Sequence, residues 1–376
     1  MQVLTNVKIY TGEGVIENGF IRYNEQIQTI GNMEQFVQEK TDIVTDGQGK
    51  LVIPGMIDCH LHGGYHFDAM DADSDALVKF SNDLMKEGVT TFFPTTMTQS
   101  IENITKALEA CKEAKEKGAH FEAIHLEGPF VNYDWKGAQP GEYVINPDVA
   151  LFKKWQEASG NLIKLVTYAP ETEGARELEA HFEETGVIGT CGHTGAYYKD
   201  LVGRNIKHGT HLFNQMRGLH HREPGVVGYV LLTPGVKVEI ITDGIHVCPE
   251  MVKLAYKMKG AEDILVITDA MRAKGLEEGE YELGGQPVFV KDGKATLADG
   301  TLAGSVLTMD AAFRNVIEFT GCTIEEAVLM TSVNQAKHFG FDNKGTLTVG
   351  KDADFVLMTE ELYVHNTICL GKGMNA

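Results

Sequence analysis

Histidines and carboxylates recur in this chain where one cation could collect them. His60 and His62 stand two apart in Asp58-Cys59-His60-Leu61-His62, at the end of an apolar run. On a strand, residues i and i+2 face the same side, so both imidazoles can reach one ion. An H-x-H pair also arises by chance at strand ends; the apolar run after Pro54-Gly55 strengthens the metal reading. Glu127 closes another apolar run, before Gly128-Pro129. A carboxylate there is costly to desolvate unless it is ion-paired, caps a helix or binds a cation. His125 shares its face and reads as a supporting or core histidine. His193, in Gly192-His193-Thr194-Gly195, and His211, in Gly209-Thr210-His211, have small neighbours that leave room for a ligand. Each alone is most simply structural; beside Glu127 and the H-x-H pair they form a set. Asp269 closes it, although alone it could cap a helix.

Imidazoles with carboxylates suit zinc, iron(II) or a similar ion rather than calcium. Such an ion lowers the pKa of a bound water to about 7 and can polarise a carbonyl. Asp269 can take the water proton and pass it to a departing nitrogen. The implied chemistry is hydrolysis of an amide-type bond.

These residues need converging strand ends. Apolar runs at 51–62, 89–97, 121–128, 163–170, 187–193, 207–214, 236–244 and 264–271 alternate with helix-like stretches such as 74–87, 101–117 and 172–185. That rhythm predicts parallel strands with right-handed crossovers, hence a (β/α)₈ TIM-type barrel, with an open doubly wound sheet as competitor. The polar residues gather at the C-terminal ends of the runs, the face where barrel active sites lie. The chain ends differ. Strand-like pieces at 3–10 and 20–23, with a turn at 12–14 and Asn18-Gly19 just before the second piece, match pieces at 345–350 and 354–358. They suggest a small antiparallel β-sandwich of residues 1–52 with 343–376, beside a barrel of 53–342. Asp292-Gly293 marks a hairpin over 286–297, placed above the barrel mouth, and helices are expected over 309–319 and 323–339.

The 376 residues carry 53 Asp and Glu against 33 Lys and Arg, a net charge of −20. That field repels nucleic acid, and an anionic small substrate would need a local cluster of Arg, His or N–H donors. Six scattered cysteines without a C-x-x-C pair read as reduced thiols. The N-terminus lacks a secretion pattern and no apolar run is long enough to span a bilayer, so a soluble cytoplasmic protein without a membrane partner is expected.

Over essentially its whole length the chain resembles the amidohydrolase superfamily and, within it, the N-acetylglucosamine-6-phosphate deacetylases. Pro54-Gly55-Met56-Ile57-Asp58-Cys59-His60-Leu61-His62-Gly63 is general to the superfamily. Leu126-Glu127-Gly128-Pro129, Thr210-His211-Leu212-Phe213-Asn214, Arg222-Glu223-Pro224-Gly225 and Leu302-Ala303-Gly304-Ser305 are specific to the deacetylases. The resemblance implies metal ligation by Glu127, His193 and His211. It implies a second metal position at His60 and His62, which some members lack, with Glu127 bridging. One or two divalent ions per subunit follow, zinc or iron. Asp269 matches the general base and acid. Asn214, Gln215, Arg222 and His246 match positions that hold the sugar phosphate, Ala138 and Gln139 a substrate segment, and Leu302, Ala303 and Gly304 a loop over the sugar. Members are usually homodimers in which the R-E-P-G arginine reaches the partner's site.

The implied reaction converts N-acetyl-D-glucosamine 6-phosphate to D-glucosamine 6-phosphate and acetate, in amino-sugar catabolism and cell-wall sugar recycling. Arg222 offers a planar fork for phosphate; without the resemblance an ion pair with Glu223 is the simpler reading, and His246 reads as core. His220 and His221 read as exposed loop residues. Gln139 departs from members with histidine there, and Gln215 from members with alanine; a glutamine donates a hydrogen bond but carries no charge. Two alternatives compete. Cyclic-amide hydrolases usually bridge their metals with a modified lysine, whereas the fourth run offers only Lys164, near its start. A non-enzymatic scaffold on this fold should have lost the ligand set, which is intact.

Overall fold

The computed structural model describes residues 1–374. Eight parallel strands carry the polar motifs: β1 (Met56–Leu61), β2 (Val89–Thr96), β3 (Ile124–Glu127), β4 (Ile163–Tyr168), β5 (Ile188–Cys191), β6 (His208–Gly209), β7 (Lys237–Ile241) and β8 (Ile264–Ile267). Each lies inside one of the apolar runs, and they pair in chain order from β1 to β8. Among the described residues, β8 meets β1 through single bonds rather than a regular ladder. Asp269 N–H donates to His60 O at 2.8 Å, and His62 N–H to Ala270 O at 2.8 Å. Thr268 Oγ1 donates to Asp58 Oδ2 at 2.6 Å. The barrel therefore closes through the residues singled out for chemistry.

Helices α1 (Ser74–Asp83), α2 (Ile101–Glu116), α3 (Val149–Ala158), α4 (Ala175–Thr185), α5 (Tyr198–Leu201), α6 (Gly225–Leu232) and α7 (Pro249–Lys259) form the crossovers, and α8 (Met309–Thr320) follows β8. Their sequences explain them. In α2, Ser100 Oγ caps by accepting the Asn103 N–H at 3.2 Å. Ile104, Ala107, Leu108, Cys111 and Ala114 then recur at helical spacing and bury one face. α4 stops at Gly186, whose φ of 74° suits glycine. The helix expected over 323–339 is not one regular α-helix. A π-turn at Leu329–Val333 interrupts it, where Ser332 Oγ donates to Gly55 O at 2.7 Å.

Strands from both chain ends form one hydrogen-bonded sheet of eight strands. Its strands share a core of Val7, Ile21, Val52, Phe355 and Ile368, with the Tyr23 and Phe355 rings edge to face at 5.1 Å. The sheet is mixed rather than antiparallel. Gln2–Tyr10 runs parallel to both Ile43–Asp46 and Leu51–Pro54, because the intervening chain returns to its start. Asn18-Gly19 does not turn; it lies inside strand Val15–Tyr23. Gly19 is there for close packing, since a Cβ would sit 2.7 Å from Ile9 Cδ1. Residues 345–350 form turns, not a strand.

The hairpin at 286–297 is present, and a strand at Gly279–Leu283 makes it three-stranded. Asp292 and Gly293 both take positive φ, 50° and 72°, as a two-residue type I′ turn requires. Gln286 Nε2 donates to Ala138 O at 2.7 Å, which holds the hairpin at the mouth. No helix among the described residues is long and apolar enough to cross a membrane.

Candidate active site

The C-terminal ends of β1, β3, β5, β6 and β8 bring four imidazoles onto two carboxylates. His193 Nε2 and His211 Nε2 each lie 3.2 Å from Glu127 Oε1 and 3.1 Å from each other. His60 Nε2 is 3.4 Å from Glu127 Oε1, and His62 Nε2 is 3.2 Å from Glu127 Oε2. Asp269 Oδ1 lies 3.5 Å and 3.4 Å from the same two nitrogens. All six residues are buried.

The tautomers decide what this can hold. His62 Nδ1 faces Thr95 O at 3.2 Å, and His193 Nδ1 faces Trp135 O at 3.0 Å. A carbonyl only accepts, so the proton sits on Nδ1 and each Nε2 turns a lone pair inward. His60 Nδ1 likewise meets Glu239 Oε2 at 2.9 Å. With that proton alone, Nε2 lone pairs would face carboxylate oxygens, so a second proton or a cation has to lie between them. Three groups satisfy the spacing of a metal site: Glu127, His193 and His211; His60, His62 and Glu127; and His60, His125 and Glu239, of which the first two border the cavity. The donor set fits a divalent ion of the zinc or iron type.

Electrostatics agree. Burial works to lower the His60 imidazole, but Asp269, Glu127 and Glu239 outweigh it and hold it well above its ordinary value. Against the same burial, Asp269 and Glu127 push His62 up to about 10. Burial would raise Glu127, yet His60, His193 and His211 hold it well below the usual carboxylate range. Asp269 is lowered too, its burial outweighed by His60 and His62. The carboxylates demand positive charge here, from protons or from a metal that displaces them.

The backbone is strained at the same residues. His193, His211 and Asp269 have φ of 47°, 27° and 48°, a left-handed region that costs about 1–3 kcal/mol for a non-glycine residue. Surrounding bonds hold them there: Ser305 N–H donates to Asp269 O at 2.7 Å, and Asn132 N–H to His193 O at 2.9 Å.

Above the cluster is a cavity of about 70 Å³ whose walls include His62, Glu127, Ala138, Gln139, His193, His211, Asn214, Gln215, His246, Asp269, Leu302 and Gly304. Gln139 is fixed from both ends. Its Oε1 accepts the Thr98 N–H at 2.7 Å, and its Nε2 donates to Glu127 Oε2 at 2.8 Å. His246 Nδ1 lies 2.6 Å from Asp243 Oδ2. Burial lowers that imidazole, but Asp243 outweighs it and raises it above its ordinary value. His60 stands behind the wall rather than in it. Ala303 packs beneath, in a core with Met271 and Leu283. Arg222 is not brought to the cavity; it is exposed, with Nη1 2.7 Å from His221 Nε2. Among the described residues, no Lys or Arg lines the cavity.

Sequence reasoning missed Met97 and Leu283 in the wall, the Trp135 carbonyl and Glu239. A signal for Glu239 existed: a charged residue within the apolar run Val236-Lys237-Val238-Glu239-Ile240-Ile241 needs a partner if buried.

Comparison with known proteins gives a consistent picture. The sequence model of the Amidohydrolase family matches residues 51–374. The chain is 44% identical to N-acetylglucosamine-6-phosphate deacetylase from Bacillus subtilis (strain 168), covering 98% of this chain and 96% of that one. It is similar to the crystal structure of the deacetylase from Thermotoga maritima, with a TM-score of 0.88, 32% identity and 99% of each chain covered. It also resembles a mutant of the Mycobacterium smegmatis enzyme in complex with N-acetyl-D-glucosamine-6-phosphate, with a TM-score of 0.93, 29% identity and 99% of each chain covered.

Proposed function

The chain belongs to the amidohydrolase family and is a hydrolase of amide C–N bonds, and from that premise we propose that it deacetylates N-acetyl-D-glucosamine 6-phosphate to D-glucosamine 6-phosphate and acetate. The relatives that carry this activity in their names span nearly the whole chain. The observation that carries the reading is the convergence of four inward-facing imidazole nitrogens on Glu127, with Asp269 within 3.5 Å of two of them on the cavity floor.

In this reading Glu127, His193 and His211 would hold one divalent ion, zinc or iron, and His60 and His62 together with Glu127 would hold a second. A bound ion supplies activated water and polarisation of the acetyl carbonyl. Asp269, ionised beside the imidazoles, accepts a proton from the attacking water on a carboxylate oxygen. It returns that proton to the sugar nitrogen as the C–N bond breaks. Gln139 keeps Glu127 turned toward both sets of imidazoles. Asn214 and Gln215 help hold the sugar phosphate, and the loop of Leu302, Ala303 and Gly304 covers the sugar, with Ala138 beside it. His246, charged by Asp243, faces the phosphate. A cavity without arginine or lysine needs more positive charge for that group, and Arg222 of a second copy in a homodimer supplies it. The protein then acts in the cytoplasm, in amino-sugar catabolism and cell-wall sugar recycling. The sheet that strands from both chain ends build forms a module beside a catalytic barrel of 53–342.

The test is acetate release from the 6-phosphate and from the unphosphorylated sugar, each with and without chelator. Chelator-sensitive release from the phosphorylated sugar alone is expected. Activity on a cyclic amide with none on either sugar would overturn the assignment.

A further inference from the structure

Behind the cavity lies a buried carboxylate that the mechanism does not use. Glu239, in the middle of β7, is fully buried, as is His60. Its Oε2 accepts two bonds, from His60 Nδ1 at 2.9 Å and from the His211 backbone N–H at 3.1 Å. Its Oε1 lies 3.5 Å from His208 Nε2. One oxygen thus ties the side chain of one candidate ligand to the backbone of another. The two ligands belong to different sets, His60 with His62 and Glu127, His211 with His193 and Glu127.

The oxygen that takes the His211 N–H also serves His60 Nδ1 as its acceptor, which fixes hydrogen on Nδ1. His60 Nε2, which has no hydrogen-bond partner among the described residues, then turns its lone pair toward Glu127. His62 and His193 are held in the same tautomer by backbone carbonyls. His60 alone among these three depends on a side chain, and acceptors behind a ligating histidine orient the ring and raise its basicity. We propose that Glu239 is the positioning residue of the second ion position, selecting the His60 tautomer that presents Nε2 and so deciding whether each chain holds two divalent ions or one. This rests on the reading of the cluster as a metal site.

Cobalt(II) titration of the full chain after chelator stripping tests it, followed by visible absorption and by metal bound per chain. Two binding steps are expected in the wild type. Glu239→Leu keeps most of the bulk and removes the acceptor, leaving His60 Nδ1 without the partner that fixes its hydrogen. The step that uses His60 should weaken by roughly 10- to 100-fold. The other, which Glu239 reaches only through the His211 backbone N–H, should weaken less, and its persistence reports that the variant is folded. His60→Asn should remove the first step, and adding Glu239→Leu to it should change the remaining step no more than Glu239→Leu alone does. Two unaltered steps in Glu239→Leu, equal weakening of both, a larger loss in the His60→Asn background, or a single step in the wild type would each overturn the proposal. Failure of the wild type to bind any cobalt would overturn the metal reading along with it.

Discussion

At the two ends of β1 the protein buries ionisable clusters built on opposite rules. At its start, Gly55 N–H donates to Asp354 O at 2.9 Å. Beside it Lys344 Nζ donates to Asp354 Oδ2 at 2.8 Å and to Asp352 Oδ2 at 3.0 Å, while Leu370 N–H fills Asp354 Oδ1 at 2.7 Å. Burial would lower the lysine, but Asp354 and Asp352 outweigh it and hold it above its ordinary value. Every charge there already has its partner. At the far end of β1, His60 and His62 join other imidazoles in aiming lone pairs at Glu127 and Asp269. The first cluster is complete as protein, and the second needs something added. Buried charge by itself therefore does not mark a functional site; carboxylates and imidazoles held in balance only by protons that a cation can displace do.

The sharpest way to break this contrast is to change the two ends separately. Asp269→Asn should reduce kcat by about 10²- to 10⁴-fold, the range of a lost general base, with bound metal and melting temperature near wild type. Turnover close to normal would remove the assigned role. Lys344→Met should act on the other axis. It strands the buried Asp354 and should lower unfolding free energy by about 3–5 kcal/mol in denaturant titration, without changing metal content. Wild-type stability in that variant would mean the closed cluster is no more self-sufficient than the open one.

The smallest effect is in pH. His246 is raised above its ordinary value, so its charge-linked contribution is full below roughly pH 6.5 and is lost as pH rises through the higher folded value. KM for the phosphorylated sugar should climb with it, while His246→Asn should show no such rise. Identical pH profiles in the two proteins would detach His246 from the phosphate.

Much of this was legible beforehand because it is local. The alternation of apolar runs with amphipathic stretches placed all eight barrel strands. Asp292-Gly293 gave its turn, since both residues tolerate positive φ. Asn18-Gly19 has the same composition as a turn, yet the sheet runs through it, because packing of Gly19 against Ile9 outweighs local preference. The two strand pieces expected near the C-terminus fared unevenly. Phe355–Met358 pairs with Leu51–Pro54, while 345–350 makes only single backbone bonds, to Thr11 and Ile27, and forms no ladder among the described residues.

By itself the sequence determined which side chains could bind a cation and which strand ends carry them. Residue type and a strand's two-residue period are properties of neighbours in the chain. Tertiary structure decided the rest: that Glu239 supports His60 across 179 positions of sequence, that Gln139 restrains Glu127, and that Arg222 faces outward. Those facts depend on barrel closure, which brings together side chains with no local signature of their meeting and leaves a surface loop wherever its own short bonds place it.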